Sequence, residues 1–505
     1  MMRCIRHRAL FPVSRLALLL GVSAMGLSAC MVGPDYKKPD VAAPPAFKEA
    51  PNAANGWTPS QPMDTIDRGA WWSVFNDPVL DGLERKVKVS NQTVAEAVAA
   101  YDQARALTSA DRASLFPTLT GNLSDTRSGG GSRGSGTTVS TGAGSTVVSS
   151  SGSGKGGYAV STYAASLGAS WEPDVWGKLR RQVQSDVAAA QASAADLTNA
   201  TLSAQASLAT DYLLLRVLDE EKRLFDETVK ADQRALQITQ NKYTAGTAAK
   251  TDVITAQTQL LAVQASDIDI GVQRAQTEHA IAVLAGMTPA ELTLAVEPTL
   301  NRAVPTAPLV VPSVVLQRRP DIASAERNAA SASAAIGVQV AAYYPTIGLT
   351  GNFGYDSSSI GHLFDASNQI WSFGGSLAET LVDFGARQAK VRQAKAAYAG
   401  KVAVYRQTVL TAFQQVEDEL VALRVLEQEA KVRADTVASA NLAVQLTLNE
   451  YKAGTVDYTS VVTAQSTALS AAQSELNILQ QRQAASVTLI EALGGGWTVA
   501  DLPKR

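Results

Sequence analysis

YTAGTAAKTDVITAQ, Tyr243 to Gln257, returns 208 residues later as YKAGTVDYTSVVTAQ, Tyr451 to Gln465, with nine of the fifteen positions identical. A Gly followed by Thr between two proline-free, Ala/Gln/Leu/Val-rich runs reads as a helix-to-helix reversal, since Gly246 and Gly454 permit a backbone turn that a Cβ would oppose. Other pairs keep the same spacing. Val175-Trp176-Gly177 and Asp383-Phe384-Gly385 are also 208 residues apart, and Phe116-Pro117-Thr118 and Tyr344-Pro345-Thr346 are 228 apart. The chain is a tandem duplication, and the extra twenty residues sit in a longer connection within the first half.

Each half reads helix, β-hairpin, long helix, turn, helix. The first repeat, residues 91–287, holds a helix, a hairpin at 116–172, a long helix at 177–242 and a return helix at 252–286. The second, residues 320–493, holds a helix, a hairpin at 344–382, a long helix at 385–450 and a return helix at 458–493. About sixty-six residues without proline at 1.5 Å per residue make each long helix roughly 100 Å. Two shorter helices are expected to stack to match each long one. The helix resuming at 321–343 follows the first return helix, and the helix at 91–115 is the stacking partner expected for the second. Small and polar residues cover most faces of these helices and leave only narrow Leu/Val/Ile seams. That pattern fits coiled-coil-like side contacts with another face wet, although an ordinary antiparallel bundle would share it.

Four segments alternate at period two between turn-rich stretches. Leu119 and Leu123 oppose Thr118, Thr120, Asn122 and Ser124. Tyr163, Leu167 and Trp171 oppose Thr162, Ser166 and Ser170. Ile347, Leu349, Phe353 and Tyr355 oppose Thr346, Thr350 and Asn352, and Trp371, Phe373 and Leu377 oppose Ser372 and Ser376. Each is near the ten or so residues that a tilted membrane strand needs, with aromatics towards the ends. A half-buried strand in a soluble sandwich alternates the same way. Residues 127–157, rich in Gly and Ser, read as a mobile loop in the first hairpin. Four strands do not close a barrel, because single-chain barrels start at eight. Copies must supply the rest, two giving a filled eight-stranded barrel and three giving twelve strands with room for a lumen.

The N-terminus carries Arg3, Arg6, Arg8 and Arg15 ahead of the apolar run Leu16 to Leu27, the pattern of a signal peptide over 1–29. Leu27-Ser28-Ala29-Cys30 resembles the bacterial lipobox, which implies acylation at Cys30 and makes the covalent lipid the one non-protein group expected. Cys30 would be the only cysteine left after cleavage, so no intrachain disulfide forms. No later segment offers eighteen consecutive apolar residues. A net charge of −2 provides no basic field for nucleic acid. With three His and two Cys in 505 residues, and no P-loop, HExxH or paired CxxC, neither metal nor catalytic machinery is expected. His279 and His362 have no plausible catalytic partner by spacing.

The sequence after Cys30 (MVGPDY, from Met31), WWSVFNDPVLDGL from Trp71, RRPDIASAE from Arg318, Tyr344-Pro345, Val382 to Gly385 and both YxAGT turns together resemble the TolC-like outer membrane factors, in particular their NodT-type lipoprotein branch. The likeness covers nearly the whole mature chain. It implies a mainly α fold with a membrane β-barrel portion, in which a homotrimer forms a twelve-stranded outer-membrane barrel on a twelve-helix periplasmic tube. Residues 30–90 and 288–319 become the lipidated and equatorial segments, and 494–505 a C-terminal tail. The implied role is the passive exit duct of a tripartite export system, taking small molecules such as drugs, toxic organics or metals from an inner-membrane pump through a periplasmic adaptor. A type I protein secretion duct, or a trimeric structural or adhesive lipoprotein whose helices form a stalk, are the alternatives.

The resemblance also assigns residues. Tyr243, Gly246, Thr247, Tyr451, Gly454 and Thr455 mark the turns at the periplasmic end of the tube, where an adaptor or pump would touch. Relatives commonly carry Asp just beyond the turn, in rings that constrict the lumen, whereas this chain has Thr255 and Thr463 there. The aperture role therefore passes to the nearby acids Asp252 and Asp457, with Tyr458, Ser460, Thr255 and Thr463 as steric or polar alternatives.

Overall fold

The computed structural model describes residues 31–49, 70–129, 159–297, 299–305 and 318–495. The signal peptide, Cys30, most of the expected long loop, residues 306–317 of the linker and the tail from 496 lie outside them. Seven helices are described: α1 (Pro78–Ser90), α2 (Gln92–Ala113), α3 (Lys178–Thr244), α4 (Lys250–Leu284), α5 (Pro320–Ala341), α6 (Ala386–Ala453) and α7 (Tyr458–Ala492). Four strands, β1 (Thr118–Gly129), β2 (Ala159–Trp171), β3 (Thr346–Ser357) and β4 (Gln369–Ala378), form one antiparallel sheet in chain order. The chain divides into two compact units.

The first unit comprises residues up to Asp35, Thr108–Gln184 and Ala334–Lys395 and contains the sheet. Its register sets Leu119 opposite Ala169, Leu167 opposite Phe353 and Ile347 opposite Leu377. Directly opposite residues share a face, so the odd-numbered residues form a largely apolar face, interrupted on β1 by Asp125 and Arg127, and most of the Thr, Ser and Asn residues lie on the other. Among the described residues β1 and β4 each keep one edge unpaired. Arg127, Ser128 and Gly129, expected in the loop, instead pair with Ser161, Val160 and Ala159. Ladder hydrogen bonds continue there although the side chains are turn-like.

Beyond the sheet, Asp174 accepts the backbone N–H groups of Leu179 at 3.1 Å and Arg180 at 2.9 Å, capping α3. Asp383 does the same for Arg387 at the start of α6, and its carboxyl is held down at about 2 by those N–H donors and the Arg387 guanidinium. A short N-terminal strap lies against these elements. Val32 N–H donates to the Trp176 carbonyl, and Arg181, 1% exposed, donates to the carbonyls of Val32 and Gly33 at 3.1 Å each. Gly33 has φ +96°, and a Cβ there would meet the Gly337 Cα at 2.5 Å.

The second unit holds Tyr36–Leu107, Ser185–Ser333 and the chain from Ala396. Its largest core joins Trp71, Trp72, Phe75 and the buried face of α1 (Leu80, Leu83, Val87) to Leu208, Tyr212 and Leu215 of α3, Ile281 of α4 and Val487 of α7. Complete burial of Leu80, Leu208 and Leu215 stabilises by roughly 1.5–3 kcal/mol each. Asp77 caps α1 and accepts the Tyr212 hydroxyl at 2.6 Å. Sequence reading did not find α1. The start of the 288–319 linker is pinned by charge: Asp219, buried, receives Arg216 at 2.8 Å and Arg274 at 2.7 Å, and the two guanidiniums also donate to the carbonyls of Ala295 and Leu294. The rest of the strap follows in this unit. Tyr36 donates to Glu326 at 2.5 Å, and Phe47 is buried with Val416, Leu420, Leu489 and Ala492.

The stacking of helices differs from expectation. α4 ends against the start of α2: Asn91 caps α2 through Thr93 and Val94, and its Nδ2 donates to the Leu284 carbonyl at 2.8 Å. α7 ends against the start of α5, where Arg319 donates to the Ala492 carbonyl at 3.0 Å. At these junctions Gly286 (φ +70°) and Gly494 (φ +92°) approach so closely that a Cβ would lie 2.1 Å from the Ser90 oxygen and 2.3 Å from the Arg318 oxygen. Each repeat thus closes on itself. A side chain from the incoming helix satisfies a last-turn carbonyl of the outgoing one, which would otherwise be orphaned.

Candidate functional site at the paired turns

Both YxAGT turns are Schellman caps. Thr247 N–H donates to the Lys242 carbonyl at 2.8 Å and Gly246 N–H to Tyr243 at 2.9 Å; Thr455 donates to Glu450 at 3.0 Å and Gly454 to Tyr451 at 3.1 Å. Gly246 has φ +74° and Gly454 +81°, with nothing within 4 Å of where a Cβ would stand, so conformation alone demands glycine. The threonine has its own reason. Its hydroxyl donates to the same carbonyl as its N–H, at 3.0 Å in both copies. The motif therefore satisfies helix-end carbonyls twice over while leaving the tip exposed to solvent.

The two turns are not equivalent. Tyr243 is 46% exposed, whereas Tyr451 is 4% exposed and packs edge-on against Tyr458, ring centres 5.3 Å apart. Lys242 lies 4.1 Å from the centre of the Tyr451 ring and donates to the Tyr451 carbonyl, tying the end of α3 to the end of α6. Tyr451, Tyr458 and Val461 are buried with Ala235 of α3 and Ala256 of α4, so four helices meet just inside the turns. Tyr451 as an adaptor contact and Tyr458 as an aperture residue are corrected by this packing. Their rings fill the core of the helix cluster, and Tyr458 is only 1% exposed.

The remaining aperture candidates divide. Asp457 is the N-cap of α7, and its Oδ1 accepts the Ser460 N–H at 3.0 Å and the Ser460 hydroxyl at 2.9 Å. Both residues are exposed. The equivalent position in the first turn is Ala249, which provides no side-chain cap; Asp252, half-buried in the first turn of α4, supplies negative charge to that helix N-terminus instead. Thr463 is exposed and donates its hydroxyl to the Thr459 carbonyl at 2.9 Å, while Thr255 is half-buried. Neither turn thus places a free carboxylate where Thr255 and Thr463 stand.

Sequence reasoning missed Lys242 and Asp232. Lys242 was visible as NKY against NEY (Asn449-Glu450-Tyr451) in the other copy, a cation in the last turn of a helix. Among the described residues no group of His, Cys, Asp or Glu is arranged to hold a metal, and no helix is long and apolar enough to cross a membrane. His279 is exposed on α4, and in the β3–β4 connection the His362 ring meets Asp365 at 3.0 Å while the His362 carbonyl accepts Asn368 Nδ2 at 2.6 Å.

A duplicated chain with a sheet open-edged among the described residues, one largely apolar sheet face and two very long helices reversing at exposed turns defines a channel-forming class. The family model "outer membrane efflux protein" matches residues 83–287 and 311–495, more than three quarters of the chain, and the protein belongs to that family. It is 29% identical to the toluene efflux pump outer membrane protein TtgC of Pseudomonas putida, over 95% of each chain. It is 28% identical to nodulation protein T of Rhizobium leguminosarum, covering 93% of this chain and 95% of that one. The solved outer-membrane channel OprN is 28% identical and superposes with a TM-score of 0.81 over 93% of this chain and all of its own.

Proposed function

We propose that three copies of this protein form the passive exit duct of a tripartite efflux system, carrying small molecules from an inner-membrane pump and periplasmic adaptor through the outer membrane. The observation that carries this reading is the sheet: among the described residues both edges are open, and most large apolar residues of the four strands share one face. A membrane sheet with open edges must be completed by further copies. Three copies complete twelve strands and leave a lumen. Family membership supports export, and the relatives' names, which include efflux of toluene, support small-molecule cargo over secreted protein.

The turns form the adaptor-facing tip in this reading. Tyr243, Gly246, Thr247, Gly454 and Thr455 are the exposed contact residues, and Thr463, Ser460, Asp457, Asp252 and Thr255 surround the aperture. Cys30 carries the lipid, and Arg181 fixes the strap that follows it. Energy comes from the pump. A strain lacking the gene, tested against drugs, metals, solvents and secreted proteins, should show raised sensitivity to small toxic compounds and unchanged protein secretion; the reverse outcome would favour the type I secretion duct.

A further inference from the structure

Phe225, Val229, Asp232, Leu236 and Thr239 follow one another along α3 at spacings of four and three, the period of a helix seam. Phe225, Asp232 and Thr239 are buried, and Val229 and Leu236 pack against the neighbouring apolar clusters. Asp232 is an acid in a core position. It is 0% exposed, and neither carboxyl oxygen has a hydrogen-bond partner.

The groups packed around it offer no cation. From α7 the titratable neighbour is Tyr458, the first residue of that helix, whose ionisation Asp232 opposes. From α6 comes Tyr451, beyond Tyr458 and itself covered by Lys242. α4 contributes Ala256, and its nearest titratable residues, Lys250 and Asp252, make no ion pair with Asp232. On α3 itself Lys230 and Arg234 are exposed and likewise unpaired with it. A carboxylate in that setting costs free energy, and a neutral carboxylic acid costs much less.

We propose that Asp232 is a proton-controlled latch on the turn cluster: protonated, it lets the first turn of α7 pack against α3, and ionised, it loosens that packing and with it the tip of the duct. Burial pushes its carboxyl up to about 6, against an ordinary value of 3.8. Because the packed state binds the proton more tightly than the released state, the packed state is fully favoured below the ordinary value. It loses its advantage as pH rises through about 6, and the penalty is complete above that. The two values limit the change in the released-to-packed ratio to about a hundredfold. The acidity of the surrounding compartment then sets how readily the tip opens. Tip opening as the consequence rests on the duct reading; the packing change does not.

Hydrogen exchange of purified full-length protein, followed in the segment 458–465 from pH 5 to pH 8 and corrected for intrinsic rates, tests the latch. Protection in the wild type should fall by about tenfold across this range, the part of the full change that lies above pH 5, and Asp232→Asn should keep high protection throughout. Protection independent of pH in the wild type would overturn the proposal, as would an unchanged fall in Asp232→Asn. The wild-type arm decides alone if the Asn variant does not assemble. In planar bilayers, wild-type conductance should rise over the same range while that of Asp232→Asn stays flat. Absence of conductance from either protein at every pH would overturn the duct reading and leave the exchange result as the test of the latch.

Discussion

Asp457 serves two possible purposes that one pair of substitutions separates. As the N-cap of α7 it accepts two hydrogen bonds from Ser460, and as an exposed carboxylate it places three charges around the axis of a trimer. Asn caps about as well as Asp, so Asp457→Asn removes the charge and keeps the cap, whereas Asp457→Ala removes both and costs about 1 kcal/mol of local helix stability. The field is small but measurable. At an assumed distance of about 10 Å, each carboxylate attracts a cation by roughly 0.4 kcal/mol in water, and three give about 1.2. Screening at 0.1 M salt, where the Debye length is about 10 Å, leaves roughly 0.4 kcal/mol. Cations gain about twofold and anions lose about as much, so the permeability ratio changes by roughly fourfold. Reversal potentials of single trimers under a KCl gradient read this ratio. If Asp457 supplies the field, both variants lose cation selectivity equally and the loss disappears near 1 M salt, where the Debye length is about 3 Å. Selectivity unchanged in Asp457→Asn would refute the field and leave Asp457 as a cap alone.

Thr463→Asp places a carboxylate at an exposed position six residues, nearly two turns, further on and should increase cation selectivity in the same recordings. Gly454→Ala meets only the left-handed backbone penalty of about 1–2 kcal/mol, since nothing lies near its Cβ; Gly494→Ala meets the Arg318 carbonyl as well and should lower the thermal unfolding midpoint of the trimer distinctly further. Arg181→Leu should expose the strap at Met31–Asp35 to limited proteolysis, because two carbonyls lose charge-assisted donors of about 1.5–3 kcal/mol each, while its ion pair with Asp35, 86% exposed, contributes little. Cys30→Ser should abolish labelling with palmitate and leave a slower-migrating precursor, and labelling that persists would show that Cys30 is not the lipidated residue.

The duplicated turns and the alternation of the four strands made the fold class readable from the chain, because both depend on local rules: a positive-φ glycine after a helix, and side chains alternating across a sheet. What meets at helix ends was not readable. Periodicity locates α4, α2, α7 and α5 but not which of them abut, and that choice rests on Asn91 reaching the Leu284 carbonyl and Arg319 reaching Ala492. The same gap misplaced Tyr458. On helices whose faces are nearly all small or polar, helical phase cannot be fixed from sequence, and an aromatic beside a turn looks equally fit for a lumen or a core. Asp232 was hidden for the opposite reason, since one acid among many polar residues gives no sign that its position is a seam.

The most direct measurement is the conductance of purified protein in planar bilayers without any energy source. A passive exit duct predicts uniform stepwise increments, one per inserted trimer, that grow with KCl concentration. Trimers that insert into the bilayer yet conduct nothing, even above the pH at which the turn cluster loosens, would contradict the account.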